Sequence, residues 1–250
     1  MKNSHYLWCI VLLLSGLIPM AGCKKQPTKT EAPTSADEQA LLKSGDDNDV
    51  SGAQVPFAFQ YMWIEYNSTA DDAGIQVYFD AEAWKRVKIL DPGAKEILEF
   101  EAARNFKELG LTELRFESAE PSPAETMALF PPGTYKFVGR TLKGDRLIGS
   151  ATLSHDLLPP PVFSPSKGEL VDRNKTVLMW NPIPGVAGYQ VTVSNDELGV
   201  VLAVDLLPAV TSLQVPPTFL TPNTQYNAEV LAIAPNRNVT LTEGTFTTLP

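Results

Sequence analysis

Cysteine and histidine are almost missing from this 250-residue chain, which has two of each, at Cys9, Cys23, His5 and His155. So few ligands cannot assemble a Cys/His zinc cluster. With at most one thiol left once the leader described below is removed, no disulfide forms, and the fold must rest on core burial alone. A Cys/His nucleophilic site is excluded for the same reason. A serine triad would have to use His155, which ends a strand-like run beside a proline-rich stretch, and the chain has no Gly-x-Ser-x-Gly elbow. Glycine-rich phosphate loops are missing as well. Basic charge is also short, with 20 Lys+Arg against 29 Asp+Glu and a formal net charge of −9. That balance opposes nucleic acid and anionic lipid headgroups as partners.

A long apolar run is lacking too. The longest, Tyr6 to Ile18, is about 13 residues against the roughly 20 that span a bilayer as a helix. It follows Lys2 and precedes small residues, which is the plan of a secretory leader. Met20-Ala21-Gly22-Cys23 resembles the lipobox of bacterial lipoproteins, with Met20 where that family usually has leucine. The resemblance implies cleavage after residue 22, lipid attachment at Cys23 through acyl chains such as palmitate, and export to the bacterial envelope. Lys24 is not the aspartate that resembles an inner-membrane retention signal, so the outer membrane is the implied destination.

Residues 23–54 are rich in Lys, Thr, Pro, Ser, Asp and Gly and poor in aromatic and β-branched residues. A segment of that composition cannot bury enough surface to fold and reads as a disordered tether. Asp46-Asp47-Asn48-Asp49 lacks the glycine and the distal glutamate of an EF-hand loop, so it reads as a solvated acidic stretch.

Periodicity and punctuation in the remainder point to an all-β chain. Over residues 55–157, the runs 57–66, 75–79, 86–90 and 97–100 are short, apolar and separated by Asp, Gly and Pro. Gly133 to Arg140 and Leu147 to His155 flank Lys143-Gly144-Asp145 as a hairpin. Helical turns are expected at 102–109 and at 123–129, where Ser122, Pro123 and Glu125 form a capping-box signature. Pro159-Pro160-Pro161 then makes a semi-rigid spacer.

In residues 158–250, Leu178 and Trp180 share one strand face, Tyr189, Val191 and Val193 alternate on the next strand, and Leu220 precedes Tyr226. In this order they resemble a fibronectin type III domain. The resemblance implies that Trp180, Tyr189, Leu220 and Tyr226 are core residues, with the Tyr226 hydroxyl bonded back to the backbone as a tyrosine corner. The whole chain then reads as signal peptide 1–22, tether 23–54, and two tandem β-sandwiches, 55–157 and 158–250.

For chemistry, only carboxylates are abundant. Glu65, Asp71, Asp72, Asp80 and Glu82 are close in sequence, and calcium is the cation that such a loop suits, but no complete ligand set is legible. The expectation is a solvated turn and no cofactor. Glu113, Glu117 and Glu120 offer material for a glycosidase-like pair. Strand alternation places Leu231 and Ile233 outward, as a candidate interface with the first domain or with a partner. The sequence therefore supports a non-enzymatic binding or scaffolding lipoprotein with an unidentified protein or glycan partner. Its alternative is a carbohydrate-active or other hydrolytic accessory protein using acids of the first β domain.

Overall fold

A computed structural model describes residues 52–250. The leader 1–22, Cys23 with its lipobox and nearly all of the 23–54 tether lie outside the described residues. No helix among the described residues is long and apolar enough to cross a membrane.

The first half is organised by one strand. Strands β1 (Gln54–Pro56) and β2 (Phe59–Asn67) lead through a tight turn into β3, which runs for 19 residues from Asp72 to Leu90. The sequence reading expects two strands here, 75–79 and 86–90, with a turn between them. The structure replaces that turn with a bulge. Register shifts between Asp80 and Trp84 bend the strand without ending it, so its first part pairs with β2 and β5 (Leu111–Glu117) and its second part with β4 (Glu96–Glu101) and β6 (Gly133–Thr141). An extra residue in one strand does this by raising the local twist while pairing continues on either side. Inward-facing Phe79 and Trp84 flank the bend in tilted contact with each other, and Phe79 meets Phe57 and Phe137 edge-to-face. β7 (Arg146–Leu153) closes the hairpin with β6.

Helix α1 (Asn105–Leu109) starts later than the expected 102, because Arg104 takes a left-handed φ of 50° and offers no side-chain cap. Helix α2 (Pro123–Leu129) forms its capping box: Ser122 accepts from the Glu125 amide, and the Glu125 carboxylate accepts from the Ser122 amide. The buried Thr126 hydroxyl pins α2 to the sheet by donating to the Ala73 carbonyl at 2.7 Å.

In the second half, β8 (Phe163–Ser164), β10 (Val177–Trp180) and β13 (Ser212–Gln214) form a small sheet. It faces β9 (Lys167–Val171), β11 (Gly188–Asn195), β12 (Val200–Leu206), β14 (Gln225–Ile233) and β15 (Val239–Thr248). Trp180, Tyr189, Leu220 and Tyr226 are all buried between these sheets. The Tyr226 hydroxyl accepts from the Thr221 amide at 2.8 Å and donates to the Phe219 carbonyl at 3.4 Å, a tyrosine corner. Layering and corner together are fibronectin type III-like.

The halves are spliced through their sheets. β15 pairs in parallel with β2, placing Val239, Thr240 and Leu241 beside Glu65, Tyr66 and Asn67, and the result is one twelve-stranded sheet.

Candidate functional site

Two features converge at this splice, one structural and one electrostatic. The first is the β14–β15 turn, Ala234 to Asn238, which reaches into the first half. Asn238 is 1 % exposed. Its Oδ1 accepts from the Ile64 amide at 2.9 Å, and its Nδ2 donates to the Ser154 and Asp156 carbonyls at 2.8 and 3.0 Å. Asn236 adds a bond to the Asp156 carbonyl, and Thr240 one to the Leu158 carbonyl. The Arg237 guanidinium lies 3.5 Å from the Tyr61 ring centroid, and the far face of Tyr61 stacks on Phe59. A buried amide satisfied on both sides is costly to disturb, because each lost partner strands a buried polar group. The linker ahead of Pro159 is thus tied down by side chains of the second half. Asn-Arg-Asn carried no motif by which sequence reading could single it out.

The second feature is a group of carboxylates on the outer face of the same sheet. Strand alternation puts Glu65 and Asn67 of β2, Asp72, Gly74 and Gln76 of β3, and Glu117 of β5 on one side. Glu120, in the loop before α2, folds back over Gly74. A Cβ on that glycine would lie 3.1 Å from Glu120 Cγ and 3.6 Å from Glu117 Oε1. Oxygens of Glu65, Glu117 and Glu120 all lie within 4.8 Å of one another. Gln76 Nε2 donates to Glu117 Oε1 at 2.5 Å.

Crowding of this kind disfavours ionisation. Burial of the carboxyl end, then the Glu117 and Asp72 charges, push Glu120 up to about 7, although its flank is exposed. Burial and then the Glu65 charge raise Glu117, while its hydrogen bond with Glu120 works in the opposite direction. Asp72 is raised by burial and by Asp71, and its Oδ1 is buried without a hydrogen-bond partner. The acidic face continues across the splice, where Glu229 and Glu243 stand opposite each other on β14 and β15. Burial raises both, and Glu229 raises Glu243 further.

Of the five acids that the sequence groups as a loop, only Glu65 and Asp72 stand at this group, since Asp80 shares the face by alternation but lies far along β3 from them. Asp71 bonds Tyr66, Asp80 sits at the bend, and Glu82 pairs with Lys143 at 3.5 Å. The partners that complete the group, Glu117 and Glu120, are 52 and more residues from Glu65 in sequence and arrive through β5. Glu113 lies opposite Asp80, away from them. His155 is held by Nε2 at 2.8 Å from the Phe130 carbonyl.

Leu231 and Ile233 lie on the outer face of β14. Leu231 is 6 % exposed, facing Leu241 across the ladder, and Ile233 is half-buried opposite Val239. The pair thus offers an outside partner only the flank of Ile233.

No family model matches this chain, and no curated protein matches it in sequence. Among solved structures, it is similar to the FN1–FN3 domains of chicken CNTN1, at 14% identity over 80% of this chain and 69% of that one, with a TM-score of 0.38. A two-domain fibronectin type III segment of chicken tenascin gives 14% identity over 70% and 92%, with a TM-score of 0.31. A tetra-tandem repeat from the extending region of a large adhesion protein gives 13% over 76% and 49%, with a TM-score of 0.29. These likenesses are too loose to assign a family or a partner.

Proposed function

We propose that this chain is an exported lipoprotein, anchored through Cys23 in the bacterial outer membrane, that acts as a non-enzymatic binding or scaffolding module for a protein or glycan partner. The observation that carries this reading is the splice. A three-residue parallel ladder and the Asn238 bridge make one body of the two sandwiches, which suits holding a partner at a set geometry better than it suits turnover. The half-buried flank of Ile233 belongs to the proposal as an apolar contact beside that seam, with Leu231 packed behind it. Crosslinking of the full chain on intact envelopes, with identification of what is recovered, tests it. Recovery of a defined partner, lost on Cys23→Ala, is expected; recovery unchanged in that variant would overturn the anchored reading.

The proposal extends to calcium at the Glu65–Glu117–Glu120 group. Crowded carboxylates need a proton or a hard cation between them, and Asp72 Oδ1 adds a buried acceptor beside them. Calcium titration at pH 8 is expected to raise the thermal midpoint of the intact chain and to leave Glu117→Gln/Glu120→Gln unmoved. An equal response in both removes calcium from the proposal.

A further inference from the structure

Free strand edges invite pairing with other chains, and proteins guard them with short length, proline, charge or bulges. Almost every edge among the described residues is guarded in this way. β1 has three residues and includes Pro56; β8 has two and runs into Pro165; β13 has three. β4 carries Glu96, Glu99 and Glu101, β5 carries Glu113, Arg115 and Glu117, and β9 carries Lys167 and Glu169. β12 is the exception. It ends the twelve-stranded sheet with the seven residues Val-Val-Leu-Ala-Val-Asp-Leu, in unbroken register with β11 and with no lysine, proline or bulge. Its single charge, Asp205, is held by Gln190 Nε2 of its own chain at 3.0 Å. Val201 is 44% exposed and Leu207, just past the strand, 70%. Val200, Leu202 and Leu206 face the core but are only partly covered.

We propose that β12 is a homotypic interface, pairing antiparallel with β12 of a second copy about a two-fold axis at Ala203. This centre pairs all seven residues. It sets Val200 opposite Leu206 and Leu202 opposite Val204 on the core side, which extends the cover over the half-buried edge. On the other side it sets Val201 opposite Asp205, so no like charges face each other. Seven paired residues fall short of the roughly 800 Å² per partner of a stable interface, so the contact is weak between free chains. It becomes substantial where chains are concentrated on one surface, and in that respect it rests on the anchored reading above.

Cysteine crosslinking reads the register directly. Residues facing each other in an antiparallel pair have Cα atoms roughly 4.5–5.5 Å apart, within disulfide range. In the full chain in its native membrane, mild oxidation of Ala203→Cys is expected to give a disulfide-linked dimer several-fold above Val201→Cys. The Val201→Cys/Asp205→Cys double variant should recover it. The oxidation is repeated on concentrated purified chain, and acylation of Cys23 is read by mass spectrometry on the same samples. An Ala203-linked dimer from unlipidated chain leaves the edge proposal standing and sinks the anchor. If Ala203→Cys does not exceed Val201→Cys in either setting, or links to a different protein, the proposal is overturned.

Discussion

The first half wraps its core with a single 19-residue strand bent at a bulge, whereas the second half builds its core from eight shorter strands pinned by two tyrosine hydroxyls. Neither has a disulfide available, yet they distribute stability differently. In the first, Phe79 and Trp84 lie on either side of the bend within one continuous sheet, so continuity of the chain does what side-chain contacts do elsewhere. In the second, loops fix how the strands cross, and local hydrogen bonds such as that from the Ile183 amide to the Tyr189 hydroxyl hold the loops. The lesson is that similar sandwiches can fail at different places: one at its bend, the other at its corners.

The sharpest way to break the comparison is to remove the two buried tryptophans in turn. Trp84→Ala and Trp180→Ala are each expected to cost about 3–5 kcal/mol by denaturant titration. If the splice couples the halves, either change lowers a single shared transition; two separated transitions would show that the halves melt independently. Asn238→Ala comes next, at about 2–3 kcal/mol, because it strands the Ile64 amide and the Ser154 carbonyl away from water. Calorimetry should then split one peak into two, and an unsplit peak would assign the coupling to the strand ladder alone. Tyr226→Phe should cost about 0.5–1.5 kcal/mol, read as a midpoint drop of about 2–4 °C per kcal/mol for a chain of this size.

The smallest effect expected is a dependence on pH. Glu120 stands near 7 in the folded chain, above its ordinary value, so between about pH 4.5 and 7 the folded chain binds more protons than the unfolded one. That contribution is therefore present at acid pH and is lost as pH rises through about 7. The thermal midpoint is expected to fall from pH 5 to pH 8 by a degree or two, and Glu120→Gln should flatten that part of the slope. A midpoint that rises over this range in the wild type but not in Glu120→Gln would reverse the assignment.

Much of the second half was legible because Trp180, Tyr189 and Tyr226 lie in period with their strands, and period-2 burial is a local signal. The capping box at Ser122 was legible for the same reason. The bend in β3 was not, since Asp80 to Ala83 looks like turn chemistry until β5 and β6 are known to pair on either side of it. The carboxylate group was half legible. Glu65, Glu117 and Glu120 each stood out as acids, but Gly74, which makes room for them, gains meaning only from the Glu120 side chain above it. Asn238 was invisible, because the partners of its side chain are all more than 80 residues away.

That distance has a consequence for the order in which the molecule is completed. β2 is laid down near residue 60, and the strand that covers its edge arrives only near residue 240, about 174 positions later. Such a contact is among the last to form, since closing so long a loop costs chain entropy before any bond repays it. Until β15 is in place, the backbone groups of β2 that it will pair with stay open as a free strand edge. The same backbone groups are withdrawn once the chain is whole, so completing the fold also removes an edge open to other chains.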